Sequence, residues 1–245
     1  MNCKPTTVYQ SYIALFVFAL AMGILEAIVV VYVRELYYPN GFVFPLKTLP
    51  KHIVAIEIMR ELSTLLMLGS VAWIAGKNGL KRLSAFLFLF GIWDIVYYIA
   101  LKVFLNWPES FFTWDILFLI PITWVGPVLA PLICSFLMIL MALLFDYYQS
   151  KRRLYKLTIA ELLLLFAGSA VIFISFTIDF GLIIWRGNFS TGFFSLPENE
   201  EFTQIVSTWI PGDFLWGVFG TGILSICAAI LLIWRRAANN TASRF

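Results

Sequence analysis

Six long apolar runs constrain what this 245-residue chain can fold into. A helix needs about 20 mainly apolar residues to cross the hydrocarbon core of a bilayer. The runs that meet this requirement cover residues 12–33, 53–75, 83–105, 128–145, 157–185 and 214–234. They leave no room for a separate soluble domain, so the sequence predicts an all-α, polytopic bundle of six transmembrane helices that forms one domain over residues 1–245.

The distribution of basic residues predicts the orientation of this bundle. Eleven lysines and arginines flank the helix ends on one side, and five lie near the other side. The larger group is Lys4, Lys77, Lys81, Arg82, Lys151, Arg152, Arg153, Lys156, Arg235, Arg236 and Arg244, and the smaller is Arg34, Lys47, Lys51, Lys102 and Arg186. Because cytoplasmic loops carry the excess of positive charge, we expect a multi-pass protein of the cell membrane with both termini in the cytoplasm.

Two segments between the spans carry signals of their own. Prolines at 108, 121, 127 and 131 interrupt the apolar stretch after the third run, and each removes a backbone donor. This pattern predicts a short helix over residues 110–120 that is re-entrant or lies at the interface. In the last outer loop, Phe202, Ile205, Val206 and Trp209 recur at helical spacing after a capping box of Ser195 and Glu198. A helix flat on the membrane surface and a plain connecting helix fit this loop equally well.

The acidic residues of the spans are concentrated between the membrane mid-plane and the outer side. A carboxylate at the centre of a membrane helix costs about 2.5–3.5 kcal/mol on insertion scales, so such residues are markers of function. The group consists of Glu26, Glu57, Glu61, Asp94, Asp115, Asp179 and Asp213. Only Arg34, Arg60, Lys102 and Arg186 oppose them on that side. We therefore expect some of these carboxylates to be protonated, solvated or neutralised by a bound cation.

Helical phase groups these residues further. At 100° per residue, Glu57, Arg60 and Glu61 share one face of the second span. Asp94 shares a face of the third span with two tyrosines and a lysine. The candidate ligand- or proton-binding residues are Glu26, Glu57, Arg60, Glu61, Asp94, Tyr97, Tyr98, Lys102, Asp115, Asp179 and Asp213.

A structural interpretation of the same residues stays open. In it, Arg60 pairs with Glu57 or Glu61, and Asp94 pairs with Lys102, since intramembrane charges usually find partners. A continuous helix would separate Asp94 from Asp115 by about 31 Å, but a turn at residues 106–108 folds the chain back. We therefore expect these two aspartates to share a vestibule more readily than to touch.

The residue inventory disfavours several kinds of chemistry. His52 is the single histidine and the cysteines number three, so neither a haem nor a zinc site is expected. A hard divalent cation remains compatible with the carboxylates, although no recognisable ligand spacing supports it. The net charge of +3 comes with no continuous basic face, which excludes nucleic acid as a partner. No catalytic residue can be assigned.

Three functions fit this pattern. The first is binding or translocation of protons or a small cationic solute in an acidic, aromatic-lined cavity of the extracytoplasmic half. The second is a membrane-embedded enzyme that acts on a lipid or lipid-linked substrate at the outer leaflet, with Asp94 and Asp115 as metal ligands or acid/base groups and Arg60 on an anionic head group. The third is an assembly subunit of a membrane complex. Besides the lipid bilayer, a second membrane protein or a homo-oligomer is compatible with the charged stripes.

Overall fold

The computed structural model describes residues 8–39, 41–45, 47, 49–151, 156–187, 189 and 200–239. These residues form seven α-helices and one β-hairpin. The helices are α1 (Val8–Tyr37), α2 (Lys51–Ala75), α3 (Gly79–Leu105), α4 (Leu129–Ser150), α5 (Ile159–Arg186), α6 (Glu200–Thr208) and α7 (Trp216–Asn239), and the strands are β1 (Trp114–Phe118) and β2 (Trp124–Pro127).

Five of the described helices are long and apolar enough to cross a membrane. They are α1, α3, α4, α5 and α7. The protein is therefore a helical, multi-pass membrane protein, as the sequence predicted. Helix α2, whose first half carries Glu57, Arg60 and Glu61, is not among the five, so the predicted count of six spans is not confirmed.

The first four long helices pack as neighbours with alternating direction. The ring of Tyr12 meets that of Phe88, and farther along both helices Gly23 lies against Trp93 and Val96, so α1 and α3 run parallel. Helix α2 returns beside them, and near its end the ring of Trp73 lies 3.4 Å below the guanidinium carbon of Arg82. Helix α4 is antiparallel to α3 and accepts a hydrogen bond at the Ala142 carbonyl from a serine near the start of α3.

Helices α5 and α7 form a separate antiparallel pair with a very close contact. A β-carbon added to Gly168 would lie 2.9 Å from the carbonyl oxygen of Gly222, and a β-carbon on Gly222 would lie equally close to the carbonyl oxygen of Gly168. At the basic end of the pair, Glu161 forms an ion pair of 2.8 Å with Arg236. Ser225 donates across the same interface to the Leu164 carbonyl. Glycine lets the backbones approach this closely, as small residues do between membrane helices.

The segment predicted as a short helix over residues 110–120 is instead the first half of a β-hairpin. Its strand β1 pairs antiparallel with β2, with Asp115 opposite Gly126 and an irregularity after Ile116. The carbonyl oxygens of Phe111 and Thr113 accept the N–H groups of Leu129, the first residue of α4, and of Val128, which precedes it. The helical prediction was wrong because prolines leave few donors for a helix, whereas a two-stranded ladder with capped ends satisfies the backbone around them.

Helix α6 is confirmed as a helix in the segment between α5 and α7, and it packs on protein. Phe202 is buried in a cluster with Phe180 and Ile184 of α5 and with Phe189. This side of α6 therefore covers the C-terminal end of α5. The predicted capping box of Ser195 and Glu198 lies outside the described residues.

Candidate functional site: an acidic cavity

A cavity of about 140 Å³ lies between α1, α2, α3 and strand β1. We call it the acidic cavity. Its charged lining residues are Glu26, Arg34, Glu57, Arg60, Glu61, Asp94 and Asp115. Five carboxylates and two guanidinium groups thus meet in one space, and the carboxylates outnumber the cations by three.

The acidic cavity brings together most of the candidate residues of the sequence analysis. Helix α1 contributes one of them, α2 three, α3 three and β1 one. They are Glu26, Glu57, Arg60, Glu61, Asp94, Tyr97, Tyr98 and Asp115. The two aspartates that a continuous helix would separate widely share this cavity because the hairpin folds β1 back beside α3.

The remaining candidates lie outside the cavity. Lys102 is exposed and donates to the carbonyl oxygens of Asn106 and Pro108, at 3.2 and 3.0 Å. The predicted pairing of Lys102 with Asp94 was therefore wrong, because the end of α3 offers the ammonium group nearer acceptors. Asp179 is half-buried on α5, Asp213 is exposed before α7, and neither lines the cavity.

Arg60 is held by two carboxylates of the cavity. Its Nη2 and Nε atoms donate to one oxygen of Glu57, at 2.7 and 3.0 Å, and Nη1 forms an ion pair with Glu26. Thr64 also donates to Glu26, at 3.0 Å. The predicted pairing of Arg60 with Glu57 is confirmed, and it leaves Arg60 with its charge already neutralised.

Arg34 is a cavity residue that the sequence analysis treated only as a counter-charge of the outer side. Its Nη2 donates to Asp115 at 3.0 Å, and its guanidinium carbon lies 3.7 Å from the centre of the Trp107 ring. Tyr98 donates to the other oxygen of Asp115 at 3.2 Å. Helix α1 continues past the predicted end to Tyr37, so Arg34 lies within the helix. The helix-forming run that follows Arg34 and ends before Pro39 was the signal for this extension.

Glu61 and Asp94 are held by neutral donors. Both oxygens of Glu61 accept the backbone N–H of Leu119, at 2.9 and 3.1 Å, and Asp94 accepts the hydroxyl of Ser135 at 2.7 Å. Among the residues that the structure describes, neither carboxylate forms an ion pair. Ser135 was missed because its helix is distant in sequence and its only signal was a hydroxyl within an apolar run. These two account for two of the three carboxylates in excess of the cations, and the third lies at Arg60, which faces both Glu26 and Glu57.

Apart from Nη1 of Arg60, which forms the ion pair with Glu26, two buried donors at the cavity have no hydrogen-bond partner within the described part of the chain. They are Nη1 of Arg34 and Nε1 of Trp93, on side chains that both line the cavity. Arg34 is 7% exposed and Trp93 is 5% exposed. A buried polar group without a partner costs about 1–3 kcal/mol, so an acceptor on a bound molecule would be stabilised here.

Two cavity groups lie outside all of the helices and have shifted pKa values. Burial raises the pKa of Asp115, and the Arg34 guanidinium and the Tyr98 hydroxyl oppose that rise. Burial also raises the pKa of Tyr38, while its contact with the Lys47 backbone opposes the shift. The Tyr38 hydroxyl accepts the Lys47 N–H at 3.1 Å and ties the loop after α1 to the cavity rim.

A second, larger cavity of about 320 Å³ adjoins the first. It lies between the α3–α4 pair and the α5–α7 pair, and we call it the apolar cavity. Its lining includes Phe90, Phe118, Trp124, Met138, Phe173 and Ile226. Asp94, Leu117 and Phe118 line both cavities, so the hairpin and Asp94 form the boundary between them.

The described residues offer no cluster for a metal ion. No group of three or more histidine, cysteine, aspartate or glutamate side chains is placed to hold one within that part of the chain. The hard divalent cation that the sequence left open therefore gains no support from the side-chain arrangement.

Comparisons with known proteins leave function to be argued from this geometry. No family model matches the chain, and no curated protein and no solved structure is similar to it.

Proposed function

We propose that this protein binds protons or a small cationic solute in the acidic cavity and moves them across the membrane. The observation that carries the proposal is the pair of carboxylates, Glu61 and Asp94, that are buried without an ion-pair partner among the described residues. Carboxylates at membrane depth mark proton relays and ion pathways, because their burial is costly unless it serves binding.

The arrangement of the other charges favours a cation over an anion. Both guanidinium groups of the cavity already contact carboxylates, Arg60 with Glu26 and Glu57, and Arg34 with Asp115. An anion would have to compete with these contacts, whereas a cation meets two carboxylates that only neutral groups contact. The aromatic faces of Tyr97 and Tyr98 add attraction for a desolvated cation.

We also propose that the protein lies in the cell membrane with the basic end in the cytoplasm. The start of α1 and the end of α7 belong to that end, as do the ion pairs of Lys81 with Asp146 and of Arg236 with Glu161. The acidic cavity lies toward the opposite end, beside the hairpin. It would then be reached from outside the cell.

A membrane-embedded enzyme that acts on a lipid-linked substrate is the second candidate. The apolar cavity favours it, because Asp94 borders a space suited to a lipid chain. In this reading Asp94 is the acid/base group, since Asp115 is engaged by Arg34 and Tyr98. The role of Arg60 on an anionic head group is disfavoured by its contacts with Glu26 and Glu57. No observation on the described residues supports the assembly-subunit hypothesis.

Binding of methylammonium to the protein in phosphatidylcholine nanodiscs tests the proposal. We expect saturable binding by calorimetry that weakens about 10- to 100-fold in Glu61→Gln and in Asp94→Asn, because each loses a charge-assisted contact. Asp179→Asn is the matched control, since it removes a carboxylate of the same membrane half that does not line the cavity. The melting temperature of each variant shows that the fold is intact.

A flux measurement tests whether the protein transports protons. The interior of proteoliposomes that contain a pH-sensitive dye should acidify under an imposed membrane potential when the wild-type protein is present. Proteoliposomes with either cavity variant should give no such signal. The proposal fails if the wild-type protein neither binds methylammonium nor conducts protons, or if the cavity variants behave like Asp179→Asn.

A further inference from the structure

The acidic and apolar cavities meet at one carboxylate. Asp94 is 9% exposed and lines both spaces. Ser135, which donates to Asp94 at 2.7 Å, lines the apolar cavity, and Glu61 lines the acidic cavity. A molecule whose charged group lies against Asp94 is therefore next to an apolar space as well as a charged one.

The two cavities differ sharply in chemistry. Asp94 is the single charged residue in the lining of the apolar cavity, where aromatic and aliphatic side chains from α3, α4, α5 and α7 surround it. In the acidic cavity, seven charged residues come together. Apolar groups gain free energy on leaving water for such a lining, while a charge placed there without a partner is strongly disfavoured.

We propose that the cation bound by this protein is an amphiphilic amine, with its ammonium group between Asp94 and Glu61 and its hydrocarbon chain in the apolar cavity. This inference rests on the proposed function and names the class of ligand. Charge complementarity selects the ammonium group, since Asp94 and Glu61 form no ion pair within the described residues.

The n-alkylammonium series from methylammonium to octylammonium is the probe. Binding is measured by calorimetry on the protein in phosphatidylcholine nanodiscs, and empty nanodiscs give the free aqueous concentration of each ligand. Referred to that concentration, Kd should fall about fourfold for each methylene that becomes fully buried in the cavity. Asp94→Asn should weaken binding of every member of the series.

Variants of α5 show whether the hydrocarbon chain of the ligand lies in the apolar cavity or in the surrounding bilayer. Ser169 is an exposed residue in the lining of the apolar cavity, and Ser169→Trp should flatten the dependence of Kd on chain length. The matched control is Ala167→Trp, an exposed position of the same helix that does not line the cavity, and it should keep the full dependence. Equal gradients in the two variants would overturn the inference.

If Ser169→Trp does not fold, a competition experiment on the wild-type protein tests the same point. 1-Octanol has the chain without the charge, so it should compete directly with octylammonium and weaken its binding far more than it changes the binding of methylammonium. Absence of competition would overturn the assignment of the chain to the apolar cavity.

The outcomes separate this inference from the proposed function. If methylammonium binds, and longer chains do not lower Kd beyond what partition into nanodiscs explains, then the ligand is not an amphiphilic amine. The proposed function stands in that case. If no member of the series binds, cation binding itself fails. Nanodiscs that contain phosphatidylethanolamine show where the amine comes from. If this lipid competes with octylammonium, the ligand is an amine lipid of the bilayer. If it does not compete, the ligand is a water-soluble amphiphilic amine.

Discussion

Arg34 is the residue on which the outer part of the acidic cavity depends. It contacts Asp115 at 3.0 Å and lies over the ring of Trp107, and both charged side chains are more than nine-tenths buried. Removing one member of a buried ion pair leaves the other charge uncompensated, which typically costs about 3–5 kcal/mol. The pair therefore offers a sharp test of this part of the structure.

We expect Arg34→Gln and Asp115→Asn each to lower the free energy of unfolding in detergent by about 3–5 kcal/mol. The double variant should lose much less than the sum, because neither charge is then left alone. Denaturant unfolding of the four proteins gives the coupling energy. Arg186→Gln, at an exposed arginine, is the control and should change stability by less than about 0.5 kcal/mol. Additive losses in the double variant would contradict the pairing.

At this scale, the sequence predicted which side chains lie at similar depth and could not predict which of them touch. Helical rise placed Glu26, Glu61 and Asp94 in the same half of the membrane, and they line one cavity. Asp179 was placed in that half by the same reasoning, but its helix pairs with α7 and does not line the cavity. The rotation of each helix about its axis, and contacts such as Ser135 to Asp94, depend on tertiary packing that a single sequence does not encode locally.

At the scale of elements, the contact of α5 with α7 depends on the absence of two side chains. Gly222 faces Gly168 with no room for a β-carbon, whereas a β-carbon on Gly220 of the same helix would meet no atom within 4 Å. Close packing accounts for Gly222 and leaves Gly220 without a steric requirement.

Alanine at these two glycines should have opposite effects. Gly222→Ala should lower stability by about 1–3 kcal/mol, because the helices must separate to admit the methyl group. Gly220→Ala should be neutral or raise stability by up to about 1 kcal/mol, since alanine is the better helix former. Thermal unfolding of both variants under one set of detergent conditions measures the difference. Equal effects would mean that α5 and α7 are not in contact at Gly222.

The hairpin is the element that the sequence predicted incorrectly. Short apolar runs between prolines are ambiguous, because periodicity does not separate a buried strand from a buried helical segment. Length was the better guide, since β1 covers five residues and β2 four. The aromatic and β-branched residues Trp114, Ile116 and Phe118 also favour a strand. The long helices were predicted well because a run of about 20 apolar residues has few alternatives in a membrane.

At the scale of the whole molecule, the topology depends on whether α2 crosses the membrane. Helix α2 runs antiparallel beside α1 and α3, and yet its charged first half keeps it out of the group of evident spans. If α2 crosses, the loop after α1 and the loop before the hairpin lie outside, and the turn between α2 and α3 lies in the cytoplasm.

Single cysteines can locate these three loops. In a background with the native cysteines replaced by serine, we expect a membrane-impermeant maleimide to label Val43→Cys and Glu109→Cys in intact cells. Lys77→Cys should react only after permeabilisation. All three positions are exposed, so access to the reagent reflects sidedness. Labelling of Val43→Cys together with Lys77→Cys would show that α2 does not cross.

The shared boundary of the two cavities also makes their occupants thermodynamically linked. Asp94, Leu117 and Phe118 border both spaces, so the state of one cavity sets the surroundings of the other. Any factor by which an apolar molecule changes the affinity for a cation must equal the factor by which that cation changes the affinity for the apolar molecule. Detergent is then an effector of this protein, and its free concentration has to be held constant whenever cation affinities are compared.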